Sequence, residues 1–442
     1  MIHFFEILNK KYIVDVNSGI VHEVDDLVYD IIKEDAYKNR DNLSKIYKNY
    51  DKKIVDESID ELKSLEEKEL LYTKEKHIVP KIKPTLKSMC LNIAHDCNFL
   101  CEYCFASKGN FGGKKELMSY ETGKKAFDYL VQNSKGRKNL EVDFFGGEPL
   151  MNFQVVKDLV EYGRKIEKKH NKNFRFTITT NGMLLNEDNI DYINKNFHNV
   201  VLSLDGRKSV NDNMRKDRAN KGTYDKIVPK FKNLVDKRGD KDYFIRGTFT
   251  RENLDFTQDV KNIKNLGFDI ISMEPVVTEE KNFFSIKKEH VETVKKEYEK
   301  LCQYYIDKKN EGDGFNFFHF EIDLDGGPCI YKKISGCGAG NEYVAVTPSG
   351  DIYPCHQFVG EEKFIIGNVE TGITEKEIPN SMYKSNITTK DKCRDCWAKY
   401  FCGGGCHANA YNFNSSFKIP YEVGCEFEKK RIECAIRIKS EE

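Results

Sequence analysis

Fourteen cysteines set the chemical question, and their spacing narrows it. Cys97, Cys101 and Cys104 stand in His95-Asp96-Cys97-Asn98-Phe99-Leu100-Cys101-Glu102-Tyr103-Cys104-Phe105, a C-x3-C-x2-C pattern. Three thiolates on one short loop can hold three corners of a [4Fe–4S] cube. An ordinary electron-transfer cluster takes four, so one iron would stay open to another ligand. A zinc site completed by a residue such as His95 is an alternative, although zinc loops more often use paired C-x2-C units. Three unrelated buried thiols are another. No cysteine occurs between Cys104 and Cys302. The C-terminal third then reads Cys337-x12-Gly350-x4-Cys355, Cys393-x2-Cys396-x5-Cys402-x3-Cys406 and Cys425. Its short spacings suit structural zinc as well as cluster ligation. Cys90, Cys302 and Cys434 fit neither pattern and read as ordinary buried thiols.

The rest of the composition limits what those cysteines serve. The chain has 442 residues, enough for two or three domains at about 150 residues each. Lys plus Arg and Asp plus Glu number 71 each, which argues against binding of nucleic acid through phosphate neutralisation. No run of apolar residues is long enough to span a membrane, and the N-terminus lacks the pattern of a signal peptide. A reducing cytoplasm is therefore expected, where cysteines serve metals or clusters rather than a disulfide framework.

The elements that must position the first three cysteines alternate. Strands are expected at Met89–His95, Val142–Gly147, Arg175–Asn181, Val200–Asp205, Tyr243–Thr250 and Phe268–Pro275. Amphipathic helices are expected at Tyr120–Gln132, Gln154–His170, Asp188–Phe197, Tyr224–Lys237 and Leu254–Leu266. Repeated βα units imply a parallel α/β sheet with functional residues at the C-terminal strand ends. This region, residues 85–310, is preceded by a unit at 1–80. There, Ile2–Ile7, Lys11–Val16 and Ile20–Val24 read as strands and three helical stretches follow. Too small to bury much surface alone, it is expected to dock on the main body or bind a partner. Lys74–Lys83, with Pro80, reads as a linker. After a long helix over Lys287–Lys309, residues 311–442 look irregular and stapled by metal ligation.

The first constellation resembles the defining signature of the radical S-adenosylmethionine (SAM) superfamily. The likeness continues at Gly146-Gly147-Glu148-Pro149, Thr179-Thr180-Asn181-Gly182 and Ser203-Leu204-Asp205-Gly206, which follow at successive strand ends. The resemblance implies a partial (β/α)6 barrel in which Cys97, Cys101 and Cys104 hold the reductive cluster. Glu148 would accept the SAM amino group beside Gly146 and Gly147, whose missing side chains let backbone approach the ligand. Ser203 and Asp205 would contact SAM, Arg215 would pair with its carboxylate, and Phe105 would lie by its adenine. An electron passed into SAM would then release methionine and a hydrogen-abstracting 5′-deoxyadenosyl radical.

The second constellation resembles the SPASM domain of radical SAM enzymes that modify peptides and proteins. Carried over, Cys393, Cys396, Cys402 and Cys425 hold one auxiliary [4Fe–4S] cluster, and Cys337, Cys355 and Cys406 a second. That makes three clusters with the first. Cys329 is the candidate fourth ligand of the three-cysteine site, but it follows Gly326-Gly327-Pro328 at a longer gap than in relatives with a full site. An iron open to a substrate thiolate is therefore expected. Residues 12–30, the Cys97 loop and Gly336-Cys337-Gly338-Ala339-Gly340 are similar to maturases of six-cysteine SCIFF peptides. That likeness implies a winged-helix-like module at 1–80 that binds a leader peptide by strand addition. It also implies thioether bonds between peptide Cys and an acceptor such as Thr, and a flavodoxin- or ferredoxin-type electron donor. Anaerobic sulfatase maturases, which make formylglycine, are the competing family. They carry Asp where this chain has His356, directly after Cys355. A cluster-bearing redox carrier or sensor is the non-enzymatic alternative, and it would not need the SAM-contacting strand ends.

Overall fold

The computed structural model describes residues 1–75, 84–324, 334 and 336–442. Most of the expected linker, and Cys329 with its Gly-Gly-Pro, lie outside the described residues.

The chain opens with an antiparallel meander of β1 (Ile2–Ile7), β2 (Lys10–Asp15) and β3 (Ile20–Val24). The turn after β2 is held by the Asp15 carboxylate, which accepts the amides of Asn17, Ser18 and Thr73. Helices α1 (Asp26–Lys33), α2 (Arg40–Asn49) and α3 (Lys52–Glu67) follow. Strand side chains alternate between faces, and β2 is buried on both. Ile13 packs into a small core with Leu27, Ile31, Val55 and Leu62, whereas Tyr12 and Val14 join the core of the main body. The unit docks as its size demanded. His3 stacks on Trp397 at 3.8 Å, and the Tyr12 hydroxyl lies 2.6 Å from that of Ser440.

Six parallel strands form the body: β4 (Ser88–Ala94), β5 (Asn139–Gly146), β6 (Asn173–Thr180), β7 (Asn199–Ser203), β8 (Tyr243–Phe249) and β9 (Ile270–Pro275). Between them run α4 (Tyr120–Asn133), α5 (Phe153–His170), α6 (Glu187–Asn196), α7 (Lys208–Met214), α8 (Tyr224–Arg238) and α9 (Thr257–Asn265). The parallel α/β sheet expected from the alternation is present, in the partial barrel that the resemblance implied; of the helices between these strands, the short α7 went unread. Alternate residues of β5 and β6, Leu140, Val142, Phe144, Phe174, Phe176 and Ile178, are fully buried. Their neighbours Glu141, Asp143, Arg175 and Thr177 instead line a half-open cavity of ≈560 Å³. The interior is thus polar and hollow, unlike the packed core of a closed barrel.

Helix α10 (Val291–Asn310) leads to β10 (Asn316–Phe317), which pairs with β9. At the opposite edge β11 (Tyr343–Val346) adds in parallel to β4, and β12 (Asp351–Tyr353) folds back on β11. Through β13 (Gly367–Asn368) and β14 (Gly372–Ile373) the sheet reaches 11 strands. The irregular reading of the last third missed this hairpin. It also missed a C-terminal helix, Glu422–Lys439, packed on α10. That helix buries Lys430 and Arg437 alongside Ile432 and Ile436, so it has no clean polar stripe to betray its period. Among the described residues no helix is long and apolar enough to cross a membrane.

Candidate active site

The loop after β4 is fastened before it reaches its cysteines. The Asp96 carboxylate accepts the Cys97 amide at 2.9 Å and pairs with Lys115 and Arg218 at 3.1 and 2.6 Å. Arg218 also donates to the Cys97 carbonyl at 2.7 Å. The amides of Leu100 and Glu102 donate to the carbonyls of Lys216 and Met214. So held, Cys97, Cys101 and Cys104 line one side of a cavity of ≈190 Å³ at the C-terminal strand ends. Burial pushes the Cys97 thiol up and the Cys101 thiol to about 12, and each lies close enough to Cys104 to feel its charge. Thiols so placed ionise only with a cationic partner, and a metal supplies one. The Cys97 sulfur accepts from the Phe99 amide at 3.4 Å and from the Asn181 side chain at 3.7 Å. His95, the candidate zinc partner, packs its ring against Phe111.

Gly146 and Gly147 line the cavity, but the close approach they permit is between chain segments. A Cβ on Gly147 would stand 2.1 Å from the Asp96 carbonyl oxygen, and one on Gly146 2.4 Å from that of Ala94. Ligand access was the expected reason; seating the cysteine loop on the end of β5 is the observed one. Glu148 is 1% exposed. Its carboxylate accepts from the Leu150 amide at 3.0 Å, and from the Thr180 hydroxyl and Asn181 amide at 2.8 Å each. Burial outweighs these bonds and pushes the carboxyl up to about 7. A carboxylate with three donors and no cation, facing a cavity, suits an ammonium ligand.

Ser203, Arg215 and Phe105 line the same cavity. Asp205 does not. It is fully buried, with Oδ2 3.0 Å from Arg215 Nε and 2.7 Å from the Tyr103 hydroxyl, and Oδ1 3.0 Å from the Thr248 amide. Asp205 thus lies behind Arg215 rather than on the cavity wall, because the strand end turns its side chain inward.

The far wall comes from the added hairpin. By pairing β11 with β4, the sheet brings Cys355 and His356 over the barrel. His356 lies against Phe105 and Phe145, with ring centroids 5.9 and 5.5 Å away. Its Nδ1 is 2.7 Å from the Tyr343 hydroxyl, and burial lowers its pKa to about 4. Glu274, at the end of β9, also lines the cavity. Burial opposes its charge, and neighbouring His319, Arg431 and Arg246 outweigh that, holding the carboxyl below the usual range. The strand-end rule applied to β9 would have found Glu274; nothing in the sequence marked Arg246, in the middle of β8, or Tyr103 or Tyr343.

The distal cysteines lie near one another in the two sets that the resemblance implied. The Cys355 thiol feels the charges of Cys406 and Cys337, and Cys406 that of Glu274. Cys425 feels Cys393 and Cys396, and Cys402 feels Cys425. The latter four line a hollow of ≈890 Å³. Among the described residues no three His, Cys, Asp or Glu side chains converge where one metal ion could sit. Cys90, Cys302 and Cys434 are buried thiols, as read.

Comparison with known proteins agrees. Residues 91–260 match the radical SAM superfamily and residues 337–397 the SPASM iron–sulfur cluster-binding domain. The chain thus carries a radical SAM domain followed by a SPASM domain. A cysteine-type anaerobic sulfatase-maturating enzyme of Clostridium novyi (strain NT) is 24% identical over 73% of this chain and 89% of its own length. Among solved structures, anSMEcpe with bound AdoMet superposes with a TM-score of 0.67 and 21% identity, covering 81% of this chain and 98% of that one. SuiB of Streptococcus suis, bound to its precursor peptide SuiA, gives 0.56 and 17%, covering 96% and 98%. The radical SAM and SPASM domains imply [4Fe–4S] clusters and SAM for this chain.

Proposed function

We propose that this radical SAM enzyme joins cysteine thiols to acceptor carbons, threonine foremost, in a ribosomally made cysteine-rich precursor peptide. The observation that carries this reading is a cavity with the Cys97 group on one side and, on the other, the residues that directly follow Cys355. Cys97, Cys101 and Cys104 line one end; His356 and Gln357, directly after Cys355 of the other group, form the opposite wall. In this reading the first group holds the reductive cluster and the second a cluster whose open iron binds the peptide thiolate. Cys393, Cys396, Cys402 and Cys425 hold the third cluster.

Bound there, reduced cluster and SAM supply hydrogen-atom abstraction. The chain supplies position. Glu148 holds the SAM ammonium, Arg215 braced by Asp205 and Tyr103 its carboxylate, and Ser203 a further contact. Phe105, with Phe145 and His356, forms an aromatic wall that keeps water from the adenine side. Thiolate ligation across the cavity would fix the peptide sulfur before bond formation.

The N-terminal unit supports a peptide substrate. The outer edge of β3 pairs with no strand among the described residues, which suits a leader peptide added as a fourth strand. The SuiB match covers 96% of this chain, a share that must take in most of this unit. The anSMEcpe match covers 81%. His356, where the resemblance gives formylglycine-forming maturases an aspartate, also favours the cross-linking reading. A flavodoxin- or ferredoxin-type protein would deliver electrons.

Anaerobic incubation with SAM, dithionite and the peptide encoded by a neighbouring cysteine-rich short reading frame tests this. A thioether removes two hydrogens and one alkylatable thiol. A carbonyl-reactive product would establish formylglycine instead, and absence of 5′-deoxyadenosine would leave a redox carrier.

A further inference from the structure

The cysteine-rich segment buries a cation that the site above does not use. Lys390 is 1% exposed and stands directly before the helical turn Asp391–Arg394, which carries Cys393. Its Nζ donates to the Gly404 carbonyl at 2.8 Å. Gly404 is the middle of the three glycines that join Cys402 of one thiol group to Cys406 of the other. The ammonium is thereby pinned at the seam between the groups.

Burial lowers its pKa, and thiols oppose the lowering: Cys393, Cys402 and Cys425, then Cys406. A buried ammonium without a compensating anion costs several kcal/mol. Thiolate-ligated clusters on either side would balance it. Cluster potentials depend on net charge and on hydrogen bonds nearby, so a fixed cation favours the form carrying one more electron.

We propose that Lys390 sets the reduction potential of the auxiliary clusters, foremost the one held by Cys393, Cys396, Cys402 and Cys425, raising it so that this cluster can take up an electron. The proposal rests on the cluster reading of these thiols. Iron content of the wild-type chain tests that reading separately: about twelve irons for three clusters, about four if only the Cys97 loop is loaded.

The test is an anaerobic redox titration of the fully loaded protein, followed by electron paramagnetic resonance. It compares wild type with Lys390→Gln, which keeps a donor to Gly404 without charge, and Lys390→Arg, which keeps the charge. With Gln, the reduction equilibrium of one auxiliary cluster should fall at least tenfold, a drop of about 59 mV for one electron, while Arg stays near wild type. Iron lost with Gln but retained with Arg shows the same dependence on charge and upholds the proposal. Gln and Arg variants that both match wild type, both shift alike, or both lose iron would overturn it and leave Lys390 a packing role.

Discussion

Glu148→Gln separates what the carboxylate does for the ligand from what it costs the fold. Glu148 is 1% exposed, and burial raises it from 4.5 to about 7. The ligand-free fold thus holds a proton there more tightly than the unfolded chain does. Stability from that proton is fully present below pH 4.5 and is lost as pH rises through 7, by about 3 kcal/mol in all. Gln cannot ionise, so the SAM-free variant should exceed wild type in urea stability at pH 8 by up to that amount. The gap should close by about pH 5. SAM binding should run the other way. A charged hydrogen bond contributes about 1.5–3 kcal/mol, so the variant should bind roughly 10- to 150-fold more weakly at pH 7.5. Wild-type affinity should fall as pH drops below 7, because the ammonium must displace a proton; the variant should show no such slope. Anaerobic calorimetry between pH 5.5 and 7.5 reads both. Equal affinities at pH 7.5, or a flat wild-type profile, would refute the assignment of Glu148 to the ammonium.

Other perturbations probe the supports. Gly147→Ala places a Cβ 2.1 Å from the Asp96 carbonyl; overpacking of this kind costs about 1–3 kcal/mol. It should abolish 5′-deoxyadenosine formation while far-ultraviolet dichroism stays near wild type. Tyr12→Ala removes a fully buried ring stacked on Phe5, a loss of about 3–5 kcal/mol for large aromatics. Hydrogen exchange should then rise across residues 1–75 and peptide affinity fall, with peptide-independent SAM cleavage retained. Cys329→Ala should leave iron content unchanged if the Cys337, Cys355 and Cys406 site is open; loss of about four irons would show Cys329 to be its fourth ligand.

The barrel was legible because its signals are local. Strand and helix periods from Met89 to Pro275 repeat with little interruption, and six strands and their main helices lie where those periods put them. The last third was less legible. Strand β11 has four residues, too few for a period, and is fixed by its partner β4. The C-terminal helix hides its pattern by burying Lys430 and Arg437. At the site, sequence order suggested that Asp205 meets the ligand; the turn after β7 instead points it beneath Arg215.

By itself, the sequence determined which residues could carry the chemistry. Thiols at fixed short spacings share a loop whatever the surrounding fold, and glycines at a strand end permit an approach no other residue allows. Only the tertiary structure decided which groups meet. Cys104 and His356 lie far apart in the chain, yet they border one cavity because β11 pairs with β4 in a defined register. Lys390 reads as one lysine among many until burial removes its water and sets two groups of thiols beside it as counter-charges. Such effects depend on distance and desolvation, which packing sets and local sequence does not encode.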